Sequence, residues 1–178
     1  MATRRGNADT RLGQVASKMF AANDRINQLL IENLDPTLWT AKLPAKAGTQ
    51  IRTISAMFTH MHNVRTKWIR LSAPHLKAPA QLNRAHCTPP QARAGLAESA
   101  ATCAEMLAEA LGRGGRVSEF LRDGWAQPWP VGPEMLCYMI AHEAHHRGQV
   151  CMLAHQLGFP LPQKVTADMW NWEKLWKQ

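Results

Sequence analysis

Apolar residues along the chain fall into four stretches at spacings of three and four, and proline and glycine lie mostly between these stretches. The pattern predicts four helices. The first begins near Asp9 or Thr10, either of which can cap it. It runs through Val15, Met19, Phe20, Ile26, Leu29, Leu30 and Leu34 until Asp35 and Pro36 stop it. The second extends from about Ile51 to Leu71, with Ile54, Met57, Phe58, Met61, Val64, Trp68 and Leu71 forming one apolar stripe, and Pro74 ends it. The third, about Gln91 to Leu111, turns Leu96, Cys103, Met106, Leu107 and Leu111 inward and stops at Gly112, Gly114 and Gly115. The fourth starts near Pro133, a favoured first-turn residue, and continues to about Leu157.

The connections carry information of their own. The stretch from Ala73 to Pro90 contains four prolines and is longer than ordinary bundle loops, which fits a crossover between helices that do not simply reverse direction. Val117 to Pro133 mixes Phe120, Leu121, Trp125 and Trp129 with glycine and proline, and predicts an irregular or short-stranded segment over one end of the bundle. A Trp-rich tail, Asp168 to Lys177, is expected to dock back as a helical turn or two. With 178 residues, 46% of them hydrophobic, one domain over 1–178 is expected.

The net charge of +8 raises the question of a nucleic-acid partner. The basic residues are dispersed, apart from Arg4, Arg5 and Arg11 at the start and Arg113 with Arg116. Neither group has the aromatic interleaving of a single-strand platform, so no nucleic-acid partner is expected. No apolar run is long enough for a signal peptide or a membrane span, and the expected location is the cytoplasm. Cys87, Cys103, Cys137 and Cys151 form no C-x-x-C pair and read as small buried apolar residues.

The fourth helix contains Ala141-His142-Glu143-Ala144-His145-His146-Arg147-Gly148-Gln149. Helical positions four apart lie about 40° from each other, so His142 and His146 can converge on one ion, while Glu143 points about 100° away. Gln149 lies on almost the same line and can reach a metal-bound water or a ligand, and Gly148 leaves room for a neighbouring helix or a substrate. A third ligand has to come from elsewhere. His60 and His62 on the second helix sit about 200° apart. His60, beside the buried stripe, is the one expected inside. Taken singly, each histidine has an ordinary reading as a surface or hydrogen-bonded residue, and His145, His75, His86 and His155 are so read. Glu143 and Arg147 read as a solvated i to i+4 ion pair. The segment also satisfies the zinc-protease pattern H-E-x-x-H, but Gln149 and Met152 stand where the long form needs Gly and His. Only Glu173 is left as a downstream carboxylate ligand.

The His142 to Gln149 segment resembles the DinB-like (YfiT-like) family of bacterial metal-dependent four-helix proteins. His60 with Trp68 eight residues later, and Asn23-Asp24-Arg25-Ile26-Asn27-Gln28-Leu29-Leu30, add to the likeness. The resemblance implies a four-helix bundle in up-down-down-up order and a metal site on His60, His142 and His146, the residues that helical geometry also selects. It further implies zinc, nickel or another divalent ion, and in some relatives transfer of low-molecular-weight thiols or hydrolysis of small substrates.

A three-histidine site with an open position suits a metal-dependent enzyme acting on a small molecule. Hydrolysis needs a general base, for which Glu143, His145 and His62 are available, with Gln149 a further candidate at the site. Thiol transfer needs only the metal, a pocket and cationic groups for an acidic, glutathione-like thiol. The rival reading is a metal-binding protein without catalysis. Trp170, Trp172 and Trp176 are candidates for a homodimer interface.

Overall fold

The computed structural model describes residues 2–112 and 114–177, with side chains from Arg11 onward except at 113. The chain is mostly helical, in the order α1 (Ala2–Asn33), a 3-10 turn at Pro36–Leu38, α2 (Ile54–Ser72), α3 (Pro89–Leu111), β1 (Glu119–Phe120), β2 (Trp129–Pro130), α4 (Pro133–Gln156), α5 (Gln163–Trp170) and α6 (Trp172–Lys177). The first helix starts well before Asp9 and Thr10, so neither is its cap; the side chains at 4, 5, 9, 10 and 113 lie outside those described.

The helix ends follow from local chemistry. Thr53 caps α2 by accepting from the Ala56 N–H at 3.1 Å. At α3 the Thr88 side chain accepts from the Gln91 N–H while the Gln91 side chain accepts from the Thr88 N–H, a reciprocal capping box. At the far end of α4, Gly158 takes φ +87, which lets its N–H reach the His155 carbonyl and the Phe159 N–H reach the Ala154 carbonyl.

Two clusters make up most of the core, and different ends of the helices feed each. One gathers Ala16 and Phe20 of α1, Val64, Trp68 and Ile69 of α2, Cys103 to Leu111 of α3, and Met135 to Met139 of α4. The other gathers Leu30 and Ile31 of α1 with Leu34 just after it, Ile54 to Met61 of α2, Ala92 and Leu96 of α3, and Val150 to Ala154 of α4. The 73–88 connection travels from one to the other: Leu76 and Ala78 pack on the first cluster, Leu82 and Cys87 on the second. Asn63 pins it midway, accepting from the Leu82 N–H at 2.8 Å and donating to the Leu82 carbonyl at 3.0 Å.

His62 is part of the same fastening. It is fully buried, with Nε2 2.8 Å from the Ala80 carbonyl and Nδ1 3.1 Å from the Ser99 hydroxyl. The expectation that only His60 faces inward is therefore corrected: the crossover covers the side of α2 that the stripe leaves open. Close approach here depends on Gly95, where a Cβ would lie 2.9 Å from the Leu82 side chain and 3.2 Å from His62 Nδ1.

The 117–133 segment forms a two-stranded antiparallel hairpin pairing Phe120 with Trp129, and Phe120 enters the first cluster. The tail is helical from Gln163, earlier than expected, and docks on α1 through Leu175 against Ala22 and Ile26. Trp170 is 80% exposed, and Trp172 is half-buried. Cys87 and Cys103 are buried, but Cys137 lies on the outer face of α4 and is exposed, against expectation. No described helix is long and apolar enough to cross a membrane.

Candidate metal centre

His60 projects from the middle of α2 towards His142 and His146 on α4, and one ring nitrogen from each lies within 4.8 Å of the others. The Nε2 atoms of His60 and His142 are 3.3 Å apart. Two nitrogens bound about 2.0–2.1 Å from a tetrahedral ion are separated by about 3.3–3.4 Å, so this pair already has the spacing of a filled site. The His146 ring stands edge-on to both, with centroids 4.8 Å from His60 and 4.7 Å from His142. The three rings can hold a metal ion.

The hydrogen bonds around the rings sort their nitrogens. Gln149 Oε1 lies 2.8 Å from His146 Nδ1; an amide oxygen only accepts, so Nδ1 carries the proton and Nε2 keeps its lone pair. Arg84 Nη2 lies 3.2 Å from His60 Nδ1. Arginine only donates, and a neutral imidazole has one proton, so this contact and an ion on His60 Nε2 are alternatives. His142 Nδ1 is buried without a partner, which leaves its Nε2, directed at His60, as the ring's functional nitrogen.

Burial first, then the neighbouring His146 and His142 and the cations of Arg52 and Arg84, lowers the His60 pKa to about 3. Burial followed by His146 takes His142 to about 4. His146 is also lowered, chiefly by burial, with the Gln149 bond opposing. All three rings are neutral at pH 7, the form that binds metal.

Glu143 is not part of this centre, and it is not solvated. It is fully buried, with Oε1 accepting from Arg65 Nε at 2.6 Å and Oε2 accepting from Arg65 Nη2 at 2.7 Å, Asn23 at 2.6 Å and Asn27 at 2.8 Å. Arg147 Nη1 is 3.9 Å away and donates instead to Asn27 Oδ1. Burial pushes the Glu143 carboxyl up, but the Arg65 charge and the hydrogen bonds outweigh it and the pKa is lowered. A carboxylate buried in the core, paired with Arg65 and turned away from the histidines is not available as a general base to a water at the cluster. Nor is Glu173 a ligand: it pairs with Lys177 at 2.7 Å in the tail and is absent from the three-residue group. Both halves of the protease reading therefore lose their residues.

His145 is exposed and meets the edge of His146 at a centroid distance of 5.1 Å. It also lines a cavity of about 630 Å³ beside the cluster, together with Arg52, Met57, Gly148, Gln149 and Met152. A Cβ at Gly148 would meet nothing within 4 Å, so no neighbouring helix approaches there and the glycine opens onto this cavity. On the other side of the rings, Trp68 lies edge-on to His142 at 5.7 Å and Tyr138 stacks on it at 6.3 Å. Trp125 and Trp129 stack at 4.3 Å and both meet Tyr138 edge-on, while Arg122 donates to the Tyr138 hydroxyl. The sequence pattern puts Trp68 on the apolar stripe and Trp125 and Trp129 over one end of the bundle without bringing them to His142; Tyr138, one turn before His142, is the signal that it left unread.

The DinB family model matches residues 9–174. Neither a curated protein nor a solved structure matches the chain.

Proposed function

The chain belongs to the DinB family, and from that premise and the three-histidine cluster we propose a metal-dependent enzyme that acts on a small molecule, transferring a low-molecular-weight thiol. In this reading His60, His142 and His146 hold one divalent ion, zinc or nickel, leaving a position open for substrate. The helices form an up-down-down-up bundle. Support for that order comes from the core: the earlier core positions of α1 (Ala16, Phe20) and the first half of α4 share one cluster with the second halves of α2 and α3.

One observation carries the metal site: the His60 and His142 Nε2 atoms, brought from two different helices, stand 3.3 Å apart. When bound, the ion supplies a Lewis acid that stabilises a thiolate or lowers the pKa of a water. The residues of the chain do the remainder. Gln149 fixes the His146 tautomer. Arg52 lines the cavity and lies close enough to lower the His60 and His146 pKa values, so it is placed to receive the anionic end of an acidic thiol. Met57 and Met152 give the cavity its apolar side.

Thiol transfer is favoured over hydrolysis by the state of the bases. Glu143 is locked in the core, and His62 is turned to the crossover, so His145 is the one sequence-selected base left at the cavity. The test is to load the protein with one equivalent of zinc or nickel and assay conjugation of glutathione to an electrophile beside hydrolysis of a small ester, with His142→Ala as the blank. Metal-dependent conjugation is expected. Ester hydrolysis lost in His145→Ala would establish the hydrolase instead, and metal binding without turnover of either would leave a binding protein.

A further inference from the structure

The candidate ligands come from two helices, so the distance between α2 and α4 has to be held within a few tenths of an ångström for all three nitrogens to reach one ion. Among the described residues, the side-chain hydrogen bonds that join α2 to α4 are His60 to His142, at the site, and Arg65 to Glu143, in the core. Arg65 lies five residues after His60, and Glu143 directly follows His142. We propose that the Arg65–Glu143 pair positions the metal ligands, fixing the gap between His60 and the His142/His146 pair. The proposal rests on the metal-site reading above.

The geometry is that of a clamp. Arg65 Nε and Nη2 meet the two Glu143 oxygens at 2.6 and 2.7 Å, a two-point planar contact that sets orientation as well as distance. The remaining Arg65 nitrogen, Nη1, donates to Asp24 of α1 at 2.8 Å and to the Leu96 carbonyl of α3 at 2.8 Å. Asn23 and Asn27 of α1 complete the Glu143 shell. One node thus ties all four long helices together one residue away from a candidate ligand; it touches the His62 ring through Ser99, yet none of its groups bonds to the rings of His60, His142 or His146.

Stability alone is a poor reason for such a node. Burying an ion pair costs about as much desolvation as it returns in attraction, and apolar residues of similar volume often do as well. What the pair adds to apolar packing is a two-point, directional link between α2 and α4, and a site built across two helices needs a fixed gap.

Four proteins decide the matter: wild type, Arg65→Lys, the double variant Arg65→Met with Glu143→Leu, and Leu107→Ala as a core control on α3, which carries no candidate ligand. Each is checked for helical content by circular dichroism, then titrated with zinc against a chelating dye and with cobalt to read the visible absorption of the bound ion. Arg65→Lys keeps the charge but cannot grip both oxygens, and the double variant removes both charges together. Both are expected to fold, to bind zinc at least tenfold more weakly than wild type, and to show an altered cobalt spectrum. Leu107→Ala is expected to keep the wild-type affinity and spectrum. Wild type that bound no metal would defeat the metal-site reading itself. Wild type that bound, with both clamp variants within twofold of it and spectrally unchanged, would defeat the positioning role alone. So would a loss of affinity in Leu107→Ala equal to theirs. Should one clamp variant fail to fold, the other carries the same test.

Discussion

His142 and Glu143 are adjacent in the chain and serve different interiors: His142 Nε2 faces His60 Nε2 at 3.3 Å, while the Glu143 carboxylate turns into the core and takes Arg65 Nε at 2.6 Å. The helical rotation of about 100° per residue makes this possible. One turn of α4 therefore offers candidate ligands on one side and anchors the helix on the other.

Removing the anchor is expected to be costly. Glu143→Ala leaves the buried Arg65 without its main partner, and breaking one side of a buried pair costs about 3–5 kcal/mol. Urea unfolding in the presence of a chelator, so that metal plays no part, measures it; a loss below about 1 kcal/mol would contradict the burial account.

Gln149 acts on the site without packing in the core. It is exposed and accepts from His146 Nδ1 at 2.8 Å. Gln149→Leu is expected to weaken zinc binding by about tenfold or more, as loss of ligand-orienting partners does, with little change in melting temperature of the metal-free protein. Unchanged affinity would show that the contact orients nothing.

The metal-free protein should lose stability as pH falls from about 6.5, the ordinary histidine value. The folded-state pKa values of His60 and His142 are lowered to about 3 and about 4, so between those values and the unfolded one the unfolded chain binds more protons than the native. Stability therefore rises with pH through this window and falls on acidification. His146 and His62 are lowered too and add in the same direction. Urea midpoints at pH 7 and pH 5 measure the effect, and equal midpoints would contradict it. Glu143 contributes with the same sign, but only near and below the carboxylate range.

Gly95 holds the crossover against α2 by having no side chain. Gly95→Ala places a Cβ 2.9 Å from Leu82 and 3.2 Å from His62, and is expected to destabilise by about 1–3 kcal/mol despite the better helix propensity of alanine. A stabilised variant would show that the crossover yields freely.

The helices are legible because their signals are local: the three- and four-residue spacing of apolar positions, with Pro74, Gly112 and Pro133 at the ends, acts within about a turn of where it stands, while the caps Thr53 and Thr88 with Gln91 set starts two or three residues from those the spacing gives. The histidine cluster is legible for a related reason, since the i to i+4 spacing of His142 and His146 fixes their direction. What the sequence hid is which surface meets which. The apolar stripe points away from His62 and so predicts it outward, and nothing local announces that residues 73–88 return across it. Glu143 and Arg147 have the spacing of a solvated pair, and only tertiary packing buries them. A signal was present nonetheless, in Arg65 standing four residues from both Met61 and Ile69 on a buried face and in Asn23, Asp24 and Asn27 on a core-facing helix.

The most direct measurement is the metal content, by elemental analysis, of protein purified without a histidine tag or added metal, for wild type and for His60→Ala, His142→Ala and His146→Ala. The account predicts close to one equivalent of zinc or nickel in the wild type and a loss of it in each variant. Metal retained in full without His60, or none in the wild type even after incubation with zinc and nickel, would contradict it.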